Sequence, residues 1–240
     1  YKGPAYNVFF NMQNTDAKAL RPEQNNSYEI GLKSQFLNHR ITANFAAFIE
    51  DFSNYQANFL DTVAGATVTR LINAGTVSSK GVEGDISIRP FRYMTVGGNF
   101  AYTYATVDHF NCPSGAPLSC NVNGQPLPFA PRWKFVLNAD YTRPINDRFT
   151  LSLDSDYTWQ SRTQYSLTET PDTIQKAYGI WNLSTTVEDR KHRLRLTLIM
   201  RNAINTHYAS YIGYGSLGGV VNWLPRDYGR YGGFALHKDF

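Results

Sequence analysis

Apolar and polar residues alternate with a period of two along most of this chain. Tyr28, Ile30, Leu32 and Phe36 take turns with Glu29, Gly31, Lys33 and Gln35. Ile41, Ala43, Phe45, Ala47 and Ile49 stand against Thr42, Asn44 and Glu50. Val82, Gly84, Ile86 and Ile88 alternate with Glu83, Asp85 and Ser87, and Met94, Val96, Phe100, Tyr102 and Tyr104 follow on one face. The same rhythm runs through Trp133–Tyr141, Phe149–Trp159, Trp181–Val187 and Leu194–Met200, and it closes on Phe234, Leu236 and Phe240. Successive side chains of a strand point to opposite faces, so each run predicts a strand with one apolar and one polar face. About nine strands result, with no convincing helix.

The connections alternate too. Short polar turns fall near 38–39, 90–92, 146–147 and 190–191, and long connections near 53–68, 105–131, 161–177 and 205–226. Short turns at one end and long loops at the other are the layout of an outer-membrane barrel. Several strands also exceed the usual length of about 5–6 residues. The fold expected is all-β, an antiparallel transmembrane β-barrel. Its polar face carries Glu29, Lys33, Glu83, Asp85, Asp140, Asp154, Asp156, Arg193 and Arg195. A small soluble barrel fills its interior with apolar side chains, whereas a wide membrane barrel puts lipid outside and polar groups in the lumen. These nine residues are therefore expected to face the lumen. Arg at mid-bilayer on the lipid side would cost about 2–4 kcal/mol.

Composition narrows the picture. Hydrophobic residues make up 42% and charged ones 18%, which excludes a disordered chain. The aromatic excess, with 16 Tyr and 15 Phe, suits strands and membrane interfaces. Tyr102, Tyr104, Trp159, Tyr208, Tyr211 and Trp223 lie near strand ends, where an interfacial girdle is expected. The net charge of +4 is scattered and forms no polyanion-binding patch, so nucleic acid is not an expected partner. No apolar run reaches the roughly 18 residues of a membrane helix. A spanning strand shows lipid only every second residue, so a mean hydropathy of -0.39 is compatible with a barrel. The opening Tyr1-Lys2-Gly3-Pro4 shows no signal peptide, and an exported chain of this kind is expected to be mature, processed or part of something longer. Cys112 and Cys120 share a Pro/Gly/Ser-rich stretch. A disulfide closing that loop fits an oxidising compartment, with two free thiols as the alternative.

Motifs for catalysis are weak. Gly213, Gly215 and Gly218 match G-x-G-x-x-G but lack a strand–turn–helix context. The five histidines show no zinc spacing, and His109 beside Cys112 is the one candidate contact to an iron complex. Asp154 and Asp156 share a face, but no nucleophile elbow accompanies them. No enzyme, cofactor or resident metal is expected.

Four segments resemble the C-terminal barrel of TonB-dependent receptors. Leu20, Pro22, Glu23, Tyr28, Glu29, Gly31 and Lys33 are similar to the family's L-x-P-E followed by Y-E-x-G-x-K. Asn73, Gly75, Gly81 and Glu83 are similar to N-x-G followed by G-x-E. Asn202, Asn205 and Tyr208 resemble N-L-x-[ND]-x-x-Y, and Pro225, Arg226, Tyr228 and Gly229 resemble P-R-x-[YF]-G leading to a terminal aromatic. The resemblance implies a plugged barrel of about 22 strands. Residues 1–240 would be its C-terminal portion, with the plug, the energy-coupling box and the earlier strands outside this sequence. It implies active import of a scarce solute (ferric siderophore, haem, cobalamin or saccharide) with TonB-coupled energy across the bacterial outer membrane. The implied partners are outer-membrane lipid, a TonB-type complex acting on the plug, the small-molecule substrate and the barrel-assembly machinery. That machinery would read Phe234, Leu236 and Phe240. Arg193 and Arg195 would pair with plug or wall carboxylates. Substrate contacts are expected on loops 53–72, 105–131, 161–177 and 207–225, with Tyr55, His109, Tyr165, Tyr211, Tyr214 and Trp223 as candidates. A passive porin-like channel is the alternative, and a surface β-domain with an adhesive role is a third.

Overall fold

The computed structural model describes residues 2–5, 19–63, 66–112, 120–167, 170–215 and 218–239, with backbone alone for those between 58 and 70. Nine long strands form one antiparallel sheet in strict sequence order. They are β1 (Gln24–Phe36), β2 (Ile41–Val63), β3 (Ala66–Phe91), β4 (Met94–Phe110), β5 (Trp133–Pro144), β6 (Phe149–Gln160), β9 (Tyr178–Asp189), β10 (Leu194–Arg201) and β13 (Tyr231–Lys238). Two small hairpins lie in the loops. One pairs β7 (Thr163–Gln164) with β8 (Ile174–Gln175), and the other pairs β11 (Tyr211–Tyr214) with β12 (Val220–Trp223). β1 and β13 are the edges of the large sheet, which does not close on itself among the described residues.

The register sorts the two faces. Directly opposed residues of an antiparallel pair share a face. Leu32 opposes Phe45, Phe45 opposes Gly84, and Gly84 opposes Phe100. Phe100 opposes Phe135, and Phe135 opposes Trp159. Farther on, Val187 opposes Leu196 and Leu196 opposes Leu236. This continuous apolar band is open to its surroundings, with Ile30 78% and Phe234 77% exposed. A water-soluble surface rarely carries so large an apolar patch, whereas lipid requires one.

The other face is polar and largely satisfied within itself. Asn44 Nδ2 donates to both Asp85 oxygens, at 3.2 and 3.0 Å. Asn182 donates to Asp156 and Ser184 to Asp154, each at 2.8 Å. Glu29, Lys33, Glu83, Asp140 and Arg195 occupy the same set of positions. Arg193 does not. It belongs to the turn 190–193 with φ 51, so it stands below the wall and not on it. A residue in that left-handed conformation cannot continue a pleated strand.

All short turns gather at one end, and Arg148 ties two of them together. Its Nη2 lies 2.6 Å from Asp189 Oδ2, and His192 Nδ1 approaches the same oxygen at 2.8 Å. The other end differs from expectation in one place. Residues 53–72 are not a loop, because β2 and β3 stay paired up to Val63 and Ala66. A ribbon of that length passes well beyond the 9–11 residues a bilayer needs. It kinks where Phe52 pairs with Val77 but Tyr55 pairs with Gly75. Gly75 (φ 127) is required there, because a Cβ would collide with the His109 carbonyl.

The remaining core lies above the wall. Ala74, Val107, Phe110, Cys120 and Val122 are buried together, with Tyr55, Ile72 and Leu127 packed against them. Cys112 and Cys120 form a disulfide at this point. The loop after β4 is thereby folded down on the projecting ribbon. Phe240 lies outside the described residues, as do 113–119 of the cysteine loop and 216–217 of the glycine motif.

Candidate functional site

Three loops at the long-loop end interlock. Gln164 of β7 donates its side-chain amide to Pro126 O at 2.6 Å, and its carbonyl accepts Phe129 N–H at 2.9 Å. Gln175 of β8 accepts Ala209 N–H at 2.9 Å. Ser210 donates both backbone N–H and Oγ to Trp223 O, each at 2.9 Å. Backbone-directed bonds of this kind fix loops that have no long strand of their own.

Aromatic rings fill the space so defined. Phe129 lies parallel to Tyr211 (5.8 Å between centroids, 8° between planes) and 5.1 Å from Tyr165. Tyr211 in turn meets Tyr165 at 5.5 Å and Trp223 at 4.9 Å. Tyr178 and Tyr208 stack at 4.4 Å. Such pairs contribute about 0.5–1.5 kcal/mol each beyond the area they bury.

Beside this cluster lies a cavity of about 300 Å³. Its lining mixes wall and loop. Lys134, Gln160 and Tyr178 form one row on the polar face, since Lys134 opposes Gln160 and Gln160 opposes Tyr178. Phe129, Tyr165 and Tyr208 come from the loops. The cavity therefore sits at the rim, where the polar face of the wall passes into the loops. It offers flat apolar surface, phenol hydroxyls and one cation. The Tyr165 hydroxyl is held above its ordinary pKa by burial. The Tyr208 hydroxyl is held well above it by burial first and then by its bond to Asp227. Both are neutral at physiological pH, and each gives its one proton to the protein, Tyr165 to Ala209 O and Tyr208 to Asp227 Oδ1.

The expected contacts separate into three groups. Tyr211 and Trp223 are brought together and remain accessible, Trp223 at 46%. Tyr165 joins them but is only 8% exposed, and its hydroxyl donates to Ala209 O at 3.1 Å. It supports the platform and offers a solute little surface. Tyr55 sits in β2 against the buried cluster under the disulfide, Tyr214 is exposed on β11, and His109 is exposed on β4 opposite Thr76. Sequence reasoning missed Phe129, Lys134, Gln160, Tyr178 and Tyr208. Phe129 has φ 63 and interrupts any alternating pattern. Tyr178 and Lys134 read as wall residues until the register places them at the rim. Among the described residues no group of His, Cys, Asp and Glu could hold a metal ion.

Comparison with known proteins agrees with this architecture. The structure aligns over 100% of its length with 33% of the ferric yersiniabactin uptake receptor FyuA from Yersinia pestis, at TM-score 0.78 and 18% identity. It aligns over 93% with 29% of the siderophore receptor PiuA from Acinetobacter baumannii, at TM-score 0.70 and 17% identity. It aligns over 99% with 30% of the ferripyoverdine receptor of the outer membrane of Pseudomonas aeruginosa, at TM-score 0.62 and 18% identity. The chain thus spans about a third of the length of these receptors. A family profile described as TonB dependent receptor-like, beta-barrel matches residues 1–203. The chain belongs to the TonB-dependent receptor β-barrel family of the bacterial outer membrane.

Proposed function

We propose that these strands are the C-terminal part of a receptor that captures a scarce solute at the cell surface and imports it with TonB-coupled energy. The observation that carries this is the rim cavity, where wall residues Lys134 and Tyr178 meet the loop aromatics Phe129 and Tyr208. A solute entering the lumen from outside would cross that point. The polar face of the wall is then the lumen, and its Asp154, Asp156 and Arg195 face a plug carried elsewhere in the polypeptide. Further strands complete a barrel of about 22. The energy-coupling complex acts on that plug, and the last strand with Phe234 and Leu236, followed in sequence by Phe240, is the signal offered to the assembly machinery.

A ferric siderophore is the solute class that fits best. Its aromatic or hydroxamate arms present flat surface for stacking, its oxygens accept from the Tyr178 phenol and the Lys134 ammonium, and Lys134 offsets negative charge. The siderophore names carried by FyuA, PiuA and the ferripyoverdine receptor point the same way. The test uses the full-length receptor in detergent and quenching of its intrinsic fluorescence by a panel of ferric siderophores. One member should bind, and Phe129→Ala should weaken it by about tenfold or more, as aromatic anchors do. Uptake in cells should stop when the proton-motive force is collapsed. Uptake that survives the collapse would instead indicate a passive channel.

A further inference from the structure

Phe129 stands at a backbone position that favours glycine. The segment Pro126-Leu127-Pro128-Phe129-Ala130-Pro131 has three prolines, each holding φ at about −65° and removing one backbone donor. Pro128 and Phe129 form a turn in which Phe129 has φ 63. Proline followed by a residue of positive φ is the signature of a type II turn, which normally takes Gly or Asn at that second place. A bulky side chain there strains the backbone. Burial offsets little of that strain, because Phe129 stays 58% exposed. Its ring stacks on Tyr211, meets Tyr165 and lines the rim cavity, and a glycine would do none of this.

Gln164 holds this turn in place. The prolines leave the segment few donors, and two of them are committed. Leu127 N–H goes to Ala105 O at 3.0 Å, which fastens the segment to β4. Phe129 N–H goes to Gln164 O at 2.9 Å, while Gln164 Nε2 donates to Pro126 O at 2.6 Å. One residue thus grips the chain on both sides of Pro128. Gln164 is itself buried and paired with Ile174 in the β7–β8 hairpin. A buried amide with a partner of this kind has a single low-energy orientation. The hairpin therefore sets where the turn sits, and the turn sets where the Phe129 ring points. A surface ordered before binding spares the solute the entropy of ordering it.

We infer that Gln164 is a positioning residue for solute capture, holding Phe129 at the glycine place of the turn so that its ring is a preformed stacking face of the rim cavity. This rests on the reading of that cavity as the solute site. The test is a double-mutant cycle on the full-length receptor in detergent, read by quenching of intrinsic fluorescence. The probes are a ferric tris-catecholate and a ferric tris-hydroxamate. Q164M keeps the size of the side chain and drops its donor. It should weaken binding of whichever probe the unaltered receptor takes by about tenfold, the scale of one buried hydrogen bond lost. F129A should weaken it at least as much, and Q164M/F129A should be no weaker than F129A, because Gln164 acts through the ring. A general loosening of the loops would also displace Tyr178 and Tyr208, and the two losses would then multiply. Multiplied losses, or binding by Q164M equal to that of the unaltered receptor, overturn the inference. F129G separates the turn from the ring. Gly suits φ 63, so residues 120–131 should resist protease better than in F129A, while binding stays as weak. An F129G receptor that binds like the unaltered one, or that is no more resistant than F129A, also overturns the inference. This variant decides alone if Q164M loses its heat-modifiable migration. If neither probe binds the unaltered receptor, the solute reading fails and this inference with it, whereas multiplied losses sink only the part given to Gln164.

Discussion

Asn73 and Arg21 exchange two hydrogen bonds across 52 residues of chain. Asn73 Oδ1 accepts Arg21 N–H at 2.8 Å, and Asn73 Nδ2 donates to Arg21 O at 3.0 Å. The same Nδ2 also reaches Asn54 O at 2.8 Å. One amide side chain thus mimics a strand partner for Arg21 and bridges the kink in the projecting β2–β3 ribbon. Gln56 reinforces it, donating its side-chain amide to Gly3 O and Arg21 O, each at 3.1 Å.

Asn73→Ala removes all three bonds and leaves the Arg21 N–H without its partner, while Arg21 O keeps the Gln56 amide. The expected local cost is about 1–3 kcal/mol. Hydrogen exchange on the full-length receptor should rise at residues 19–23 and 54–56 while β5 and β6 stay protected. Unchanged protection at Arg21 would mean that the segment is held by something other than Asn73.

Asn202 has the parallel role near the C-terminus. It is fully buried. Its Nδ2 donates to Thr206 O at 2.7 Å and to Asp227 O at 3.1 Å, and its Oδ1 accepts Thr206 N–H at 2.8 Å. Asn202→Asp keeps the acceptor but places a carboxylate against two carbonyls with no donor between them. It should be as harmful as Asn202→Ala, at roughly 1–3 kcal/mol, and both should be read as faster proteolysis of residues 203–230. If the aspartate variant matched the parent, the buried amide donor would be irrelevant.

These two asparagines show what the sequence could and could not tell. Alternation gave the wall because every second residue of each strand answers to lipid, a demand repeated along the whole strand. Phe45, Phe100 and Phe135 could therefore be assigned to one face without coordinates. The motifs around Asn73 and Asn202 were visible as residues, but their work was not. A staple between Arg21 and Asn73 depends on long-range register, which no local pattern encodes. The same holds for Tyr55, expected in a loop and found in a strand, because β-branched and polar residues between 53 and 72 fit a solvated ribbon as well as a loop. Arg193 failed for a local reason, since alternation runs unbroken into a turn whose φ reverses the chain. Within the candidate site, Tyr211 and Trp223 were legible as aromatics in long loops. Phe129 and Tyr178 were not, because their role comes from three loops meeting.

The disulfide should matter to the loop and not to the barrel. Cys112 and Cys120 are 8 residues apart, and Cys120 is buried against Val107 and Phe110. Closing a loop that short contributes about 2–3 kcal/mol in the chain-entropy view. A Cys112→Ser/Cys120→Ser receptor should keep its heat-modifiable migration but become open to protease between 120 and 127. Loss of the folded band itself would instead place the disulfide in barrel assembly.

Alkaline titration tests the stack at the rim. Tyr208 donates its hydroxyl to Asp227 Oδ1 at 2.7 Å and lies against Tyr178. Burial and the neighbouring carboxylate both oppose its ionisation, so its folded-state pKa lies well above the ordinary value of 10.0. The neutral form is the one the folded loop favours. Its contribution to loop stability is therefore fully present below about pH 10 and is lost only as the pH rises through the higher folded value. In a phenolate absorbance titration the last step among the rim tyrosines should belong to Tyr208, and Tyr208→Phe should remove it while leaving the earlier ones. The same variant should weaken binding of the cognate ferric siderophore modestly at neutral pH, because the ring is kept and one hydroxyl is lost. If the late step survives in Tyr208→Phe, the resistant phenol is another residue, and Tyr178, stacked on it at the rim, is the next to replace.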